Sequence, residues 1–489
     1  MTTILFIIPP NRGWDGKLLP LRFPHIGVGY LAAFLKERGI NVKALDTSLD
    51  FRSKTSDIEK AVAEYSPDII GLTVYSNLVN EARAIVSDIK KITSTPIVAG
   101  GPHISVTGTE FLKETGLELG ITKDGERPLY GLITALFGGP EKRDLHEIPG
   151  LIFKDRNGEY VVQENTDLIH NLDEIPFPDW NVFDLERYSN WGDRSYQIIT
   201  SRGCPYACTY CAAPLVTGRR FRIRSSKNVV DEIELYVKKG FKRFGIGDDA
   251  FNVNINRAKE VCRLIIERKL DIVWDMGNGI RANTVDREFF QLLKKSGCNF
   301  VGFGLESGNE EMLKKIKKGL TLDQMYKALE FANEVGIGTA VNFIIGHPGE
   351  TYETAMDTLK VAQDLPASYV NMYGLMPMKG TEAYNQLKAM EAEGKAVFFY
   401  DHDYYLSHFS GQGIEPVFET PELTRAQRRK LLIMARNITK KKAFEYRFGR
   451  IFGGFLYLLT RNHKIFTFVN NLRNTVIGGK IYQRIRREQ

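Results

Sequence analysis

One pattern limits the fold of this chain more than any other. From Gln197 onward, a short β-branched run followed by a helical run restarts and repeats six times. The strand runs are QIITSRG, RFGIGDD, DIVWDMG, NFVGFGLES, GTAVNFIIG and YVNMYGLMP, with helical runs such as VVDEIELYVKKG and AKEVCRLIIERK between them. Strand and helix in alternation give a parallel sheet. Six successive units predict a partial or complete (βα)6 TIM-like barrel over residues 196–390, with its active site at the C-terminal strand ends. Residues 1–140 show the same rhythm, starting with ILFII (4–8) and the helical run IGVGYLAAFLKERG (26–39). They predict a second α/β unit, a doubly wound Rossmann-like sheet that also takes ligands at its C-terminal strand ends. Between the two, residues 141–195 hold GLIFKDRNGEYVV, a hairpin signal turning at Asn157-Gly158, and then IPFPDWNVFDLERYS. This stretch reads as a linker packed on a surface. Residues 391–489 lose the rhythm and read as a helical C-terminal region.

Five cysteines in 489 residues do not make a disulfide scaffold. The opening MTTILFIIPPNRG has no basic region before its apolar run and is cut by Pro9-Pro10, so it reads as a first strand and not as a signal peptide. No run reaches the ~20 apolar residues of a spanning helix. The expected location is a reducing cytoplasm. The net charge of +7 is unevenly spread. From Thr424 onward there are 17 Lys and Arg against two acids, Glu445 and Glu488, a net +15 that leaves −8 for the first 423 residues. Such a tail is suited to an anionic partner.

Three of the five cysteines fall in SRGCPYACTYC, at Cys204, Cys208 and Cys211, directly after the first barrel strand. Thiols that close act as metal ligands or redox partners. A structural zinc site normally adds a second pair of ligands. The remaining thiols, Cys262 within a helical run and Cys298 before the fourth strand, read instead as buried packing residues. Three thiolates suit a 4Fe–4S cluster held at three irons, with the fourth open to an outside ligand.

RGCPYACTYC resembles the signature of the radical S-adenosylmethionine superfamily. The resemblance implies that the open iron binds the amino and carboxylate groups of S-adenosylmethionine. Reduction of the cluster then cleaves the sulfonium to a 5′-deoxyadenosyl radical, and a flavodoxin or ferredoxin is the kind of reductant expected. Later strand ends match the family in order. Asp248 and Asp249 in GIGDDAF stand where the family contacts the methionine amino group, although Gly-Gly-Glu is common there. Arg281 in GNGIRAN offers a planar fork to a carboxylate. Glu306 and Ser307 in GFGLESG stand as ribose or methionine contacts. Gly346 in IIGHPGET falls near the adenine, and Tyr210 matches the aromatic before the last cysteine.

The N-terminal unit looks like the cobalamin-binding domain fused to many enzymes of this superfamily. The resemblance rests on GLTVYSN (71–77), AGGPHIS (99–105) and KDGERP (123–128). It places Thr73, Tyr75, Ser76, Gly100, Gly101, Pro102, His103, Gly125 and Glu126 at the cofactor. Glycines at strand ends also allow close approach by a bulky ligand. The D-x-H-x-x-G motif of other cobalamin proteins is absent, and His25 and His103 are the candidate histidines on the cobalt side. GVG in the first helical run is too little for a dinucleotide site. Residues 1–203 hold no cysteine, which argues against the second cluster of methylthiotransferases.

The resemblance implies a cobalamin-dependent methyltransferase of the class B kind, acting on an unactivated carbon. An oxidative cyclase using the same cofactors is the alternative, on a lipid or tetrapyrrole. A non-catalytic zinc protein is the reading from another class. The substrate class stays open among lipid, protein and small metabolite. In the tail, Leu431, Leu432, Ala435 and Ile438 share one helical face. IFGGFLYLL (451–459), RNHKIFTFVNNLRN and KIYQRIRR then mix apolar and basic residues. That mixture suits peripheral contact with the inner face of a membrane and, with no recognisable module, suits nucleic acid less well.

Overall fold

The computed structural model describes residues 1–10, 23–49, 55–138, 144–188, 194–409 and 411–460. The tail segments RNHKIFTFVNNLRN and KIYQRIRR lie outside these residues.

β1 (Thr3–Ile8) is apolar along its whole length because both of its faces are covered. Ile4, Phe6 and Ile8 turn to one core and Leu5 and Ile7 to the other, as the two-residue period of a strand requires. β2 (Asn41–Asp46), β3 (Ile69–Thr73), β4 (Ile97–Gly100) and β5 (Leu119–Ile121) join it in parallel, in the order β2-β1-β3-β4-β5. The chain reverses its direction of travel between β1 and β3, and ligands of such sheets sit beyond the strand ends at that switch. α1 (Ile26–Lys36) and a helix over Glu126–Phe137 share the face of Ile4 and Phe6.

The hairpin expected in a linker is part of this sheet. β6 (Leu151–Lys154) pairs antiparallel with β5, and β7 (Tyr160–Val162) pairs antiparallel with β6, giving seven strands. Leu151, Ile152 and Phe153 are buried, so an apolar edge finds cover by extending the ladder. The aromatic stretch that follows is not on a surface either. Trp180, Phe183 and Tyr188 are buried in a core common to both units, and the Trp180 indole donates to Tyr196 Oη at 3.1 Å.

The second sheet has six parallel strands in sequential order: β8 (Ser195–Ile198), β11 (Arg243–Ile246), β12 (Val273–Ile280), β13 (Cys298–Glu306), β14 (Gly338–Ile345) and β15 (Tyr369–Gly374). It is the partial barrel. β9 (Ser201–Arg202) and β10 (Arg222–Ile223) form a small antiparallel pair, and all three clustered cysteines lie in the loop between them. Further along, the long helix Arg425–Phe448 buries Leu431, Leu432 and Ala435 against the barrel. The helix Arg450–Thr460 returns along it. Among the described residues, no helix is long and apolar enough to cross a membrane.

Candidate functional site

The two sheets meet with their C-terminal strand ends facing a common cavity of about 310 Å³, a size typical of ligand sites. One wall comes from the first sheet: Thr73, Tyr75, Gly100, Gly101, Pro102, Gly125 and Glu126, with His25 at the start of α1. The other comes from the barrel: Ile199, Ser201, Arg202, Gly247 and Asp249, with Val216 and Thr217 at the end of the cysteine loop. The wall has room for a large ligand at its centre. A Cβ added at Gly100 would meet only the Ile121 carbonyl, at 3.8 Å, and would otherwise point into open space. Gly100→Leu is therefore expected to fill the cavity without straining β4. Bound cobalt in reconstituted protein should fall at least tenfold while iron content stays unchanged.

A buried ionic network fastens the two walls together. Asp124, beside the cavity, forms an ion pair with Arg222 and lies 3.2 Å from Arg202. Glu126 takes Arg202 at 2.7 Å. Burial works to raise the Asp124 pKa, but the two guanidinium groups outweigh it and hold the carboxyl below its usual range. Arg222 also donates to the carbonyls of Ile169 at 3.0 Å and Thr217 at 2.9 Å, so it anchors the linker and the cysteine loop together.

At the barrel mouth, Cys204, Cys208 and Cys211 are free thiols, partly exposed. Burial, the largest influence on each, raises the Cys204 thiol and pushes Cys211 up to about 11. Arg281 Nη1 lies 3.8 Å from Cys208 Sγ, and its guanidinium stacks 3.7 Å over the Tyr206 ring. A cluster takes each thiolate on its own iron, and three cysteines on one short loop, with no second pair of ligands beside them among the described residues, are the donor set for three irons.

Glu306 ends β13 with φ +78°, a left-handed conformation that costs a non-glycine residue free energy and marks sites of function. Its carboxylate takes Lys318 Nζ at 3.0 Å, and the same ammonium donates to Tyr210 Oη at 3.1 Å. The lack of a side chain at Gly304 makes room for this pair, since a Cβ there would lie 2.3 Å from Glu306 Oε1.

Other expected contacts are placed differently. Asp248 is buried and accepts from Thr200 N at 2.6 Å, Thr200 Oγ1 at 2.5 Å and Ser201 Oγ at 2.6 Å, so its carboxylate is used up in holding the start of the cysteine loop. Its neighbour Asp249 lines the cavity, open to it and accepting from Thr217 Oγ1 at 2.8 Å, and partial desolvation by the surrounding walls raises its pKa. Ser307 turns away to Thr358 Oγ1 at 3.2 Å and accepts from Asn309 N. Gly346 gives its N–H to Glu350, and its carbonyl accepts from Arg428 Nη1 at 3.0 Å, so both its polar groups have partners within the fold. Ser76 and His103 bond each other at 3.1 Å and lie outside the cavity, because Pro102 starts a helix (Pro102–Thr107) that turns His103 against Phe111. Glu126 does line the cavity, but one of its oxygens is committed to Arg202. His25 also lines it. Its Nδ1 accepts from Val28 N at 3.1 Å and caps α1, and its Nε2 lies 3.3 Å from Thr73 Oγ1.

Sequence reasoning passed over Arg202, which stands in the SRGC motif itself, and Asp124, which stands in KDGERP. It also passed over Tyr206 and Lys318. Lys318 carries no local signal, since its partners are brought to it only by the barrel.

His103 and His347 in the core and the half-buried His25 at the cavity wall give a pH prediction. Burial lowers His25 and His103 to about 4 and His347 to about 3, from an ordinary 6.5. They are neutral in the fold, so below pH 6.5 the unfolded chain binds more protons. Stability is full above pH 6.5 and is lost as the pH falls towards 4, by up to about 3 kcal/mol for His25 or His103. Melting temperature against pH should be flat above 6.5 and fall below it.

Comparison with known proteins agrees with this architecture. Residues 198–362 match the radical SAM superfamily and residues 19–133 match the B12 binding domain. An uncharacterised methyltransferase of Pyrococcus horikoshii is 30% identical over 437 residues, covering 88% of this chain and 94% of that protein. The anaerobic magnesium-protoporphyrin IX monomethyl ester cyclase of Rubrivivax gelatinosus is 27% identical over 78% of this chain and 70% of its own. The structure of the radical S-adenosylmethionine methyltransferase TsrM from Kitasatospora setae, with cobalamin and a 4Fe–4S cluster bound, superposes with a TM-score of 0.70 at 24% identity. The superposition covers 82% of this chain and 78% of that one. A B12-type sheet closed against a radical barrel over one cavity defines a two-cofactor radical enzyme. The chain belongs to the cobalamin-binding-domain-containing radical S-adenosylmethionine enzymes.

Proposed function

We propose that the protein is a cobalamin-dependent methyltransferase that adds a methyl group to an unactivated carbon. One observation carries the reading: the cavity of the B12-type sheet has the barrel's own strand ends as its second wall. A methyl donor held by residues 1–140 would therefore face the radical site, with no domain movement needed to bring the two together. When bound, the cluster and S-adenosylmethionine supply the radical that activates the carbon, and cobalamin supplies the methyl group.

The chain's own residues have distinct tasks. Cys204, Cys208 and Cys211 hold the cluster. Arg281 presents a cation beside Cys208 and Asp249 a carboxylate at the cavity edge, suited to the charged ends of an amino acid moiety, while Lys318 holds Glu306 and Tyr210 in place. Thr73, Tyr75, Gly100, Gly101, Pro102 and Gly125 form the bed for the larger cofactor. The apolar parts of the cavity wall, such as Phe6, Leu31 and Leu129, exclude water from it. An external electron donor of the flavodoxin or ferredoxin kind completes the system.

The cyclase relative supports a second reading, oxidative ring formation with the same cofactors. Product mass separates the two. Anaerobically reconstituted protein, given S-adenosylmethionine deuterated at the methyl group and cell extracts, should yield a product heavier by one labelled methyl. Loss of hydrogens with no label would overturn methyl transfer in favour of cyclisation.

A further inference from the structure

The helix Arg450–Thr460 is inside out. Ile451 is 91% exposed, Phe452 57%, Phe455 56% and Leu458 59%. At 100° per residue these four share one side, opposite Gly453 and Tyr457, which are buried. The orientation is fixed by packing. A Cβ on Gly453 would lie 2.2 Å from the Phe444 carbonyl, so the two helices touch along that line, and Tyr457 packs on Phe444. A soluble helix normally buries such a stripe.

From the structure we infer that this helix lies in the surface of a membrane rich in anionic lipid. Residues 451–460 carry no charge, while Arg447 and Arg450 precede them and Arg461 and Lys464 follow. Cations at both ends of an apolar stripe match the headgroup and acyl layers of an interface. Eleven residues span only ~16 Å, too short to cross and long enough to lie flat. Across residues 424–460 the single acid is Glu445, already 3.6 Å from Lys441. A second copy of the chain would bring +15 against +15, and the chain's own residues 461–489 would add a further +6 to the same place. Nucleic acid would accept the charge but leave Ile451, Phe455 and Leu458 in water. Anionic lipid satisfies both features. This inference is independent of the reaction proposed above.

The test uses the full chain with vesicles of phosphatidylcholine, alone or mixed with phosphatidylglycerol. The protein should sediment with the mixed vesicles, and added salt should weaken the binding. Phe452→Glu combined with Phe455→Glu should lower partitioning about tenfold or more, with S-adenosylmethionine cleavage in lipid-free solution unchanged. A Phe455→Trp variant should shift its emission to the blue only when mixed vesicles are added. Emission already blue without lipid would overturn the inference in favour of cover by the chain's own tail. A dimer in solution that ignores vesicles would overturn it in favour of a second copy. Binding of a DNA oligonucleotide with vesicles ignored would overturn it in favour of nucleic acid.

Discussion

Cys208→Ala is expected to abolish S-adenosylmethionine cleavage and remove the iron–sulfur absorption of the reconstituted protein. Loss of an outer-shell partner alone typically costs ~10–100-fold in metal affinity or activity, and loss of a ligand exceeds that. Cys204→Ala and Cys211→Ala should behave alike, since on the proposed assignment each thiol serves one iron and none can replace another. The controls lie in the same chain. Cys262 and Cys298 are buried in the core, where burial raises both thiols and keeps them protonated. Alanine at either should cost about 1 kcal/mol of packing and leave iron content intact. Iron per chain and deoxyadenosine formation, measured on all five variants, check the assignment. Full iron in Cys208→Ala would remove the cluster from this loop.

The second large effect falls on stability. Arg222→Met leaves Asp124 buried with Arg202 as its only cation and frees the carbonyls of Ile169 and Thr217. Removing one partner of a buried pair costs about 3–5 kcal/mol, because the other charge stays buried. Urea unfolding should show this loss, and proteolysis should begin to cut between the two units. Asp124→Asn added to Arg222→Met should recover part of it, since the stranded charge is then gone. If Arg222→Met alone unfolds with wild-type stability, the network is not what fastens the walls.

The parts of this molecule that repeat along the chain are legible in its sequence. Strand and helix runs of regular length, three thiols in eight residues and glycines at strand ends are all local signals. What depends on partners distant in the sequence is not. Asp248 and Asp249 follow β11, and Asp248 is drawn inward by Thr200 and Ser201 beyond β8 while Asp249 faces the cavity. Glu306 takes its left-handed turn at the end of β13, where Lys318 holds its carboxylate. His103 shows a different limit: Pro102 starts a helix, and the turn of that helix carries the imidazole away from the cavity. Lys318 meets Tyr210 across 108 positions of sequence, and Arg222 meets Asp124 across 98. The hairpin was visible, but its attachment to β5 was not, because strand pairing is a property of the whole sheet.

One apolar core runs without a break from Ile4 in the first sheet, through Trp180 and Tyr188, to Ala435 in the long C-terminal helix. The cavity sits inside the joint that this core seals. Swinging the two units apart would expose that core, so a bulky ligand is expected to come and go through the open side of the cavity while the joint stays closed. Folded, empty protein would then load without unfolding, and the filled fraction would follow the supply of cofactor.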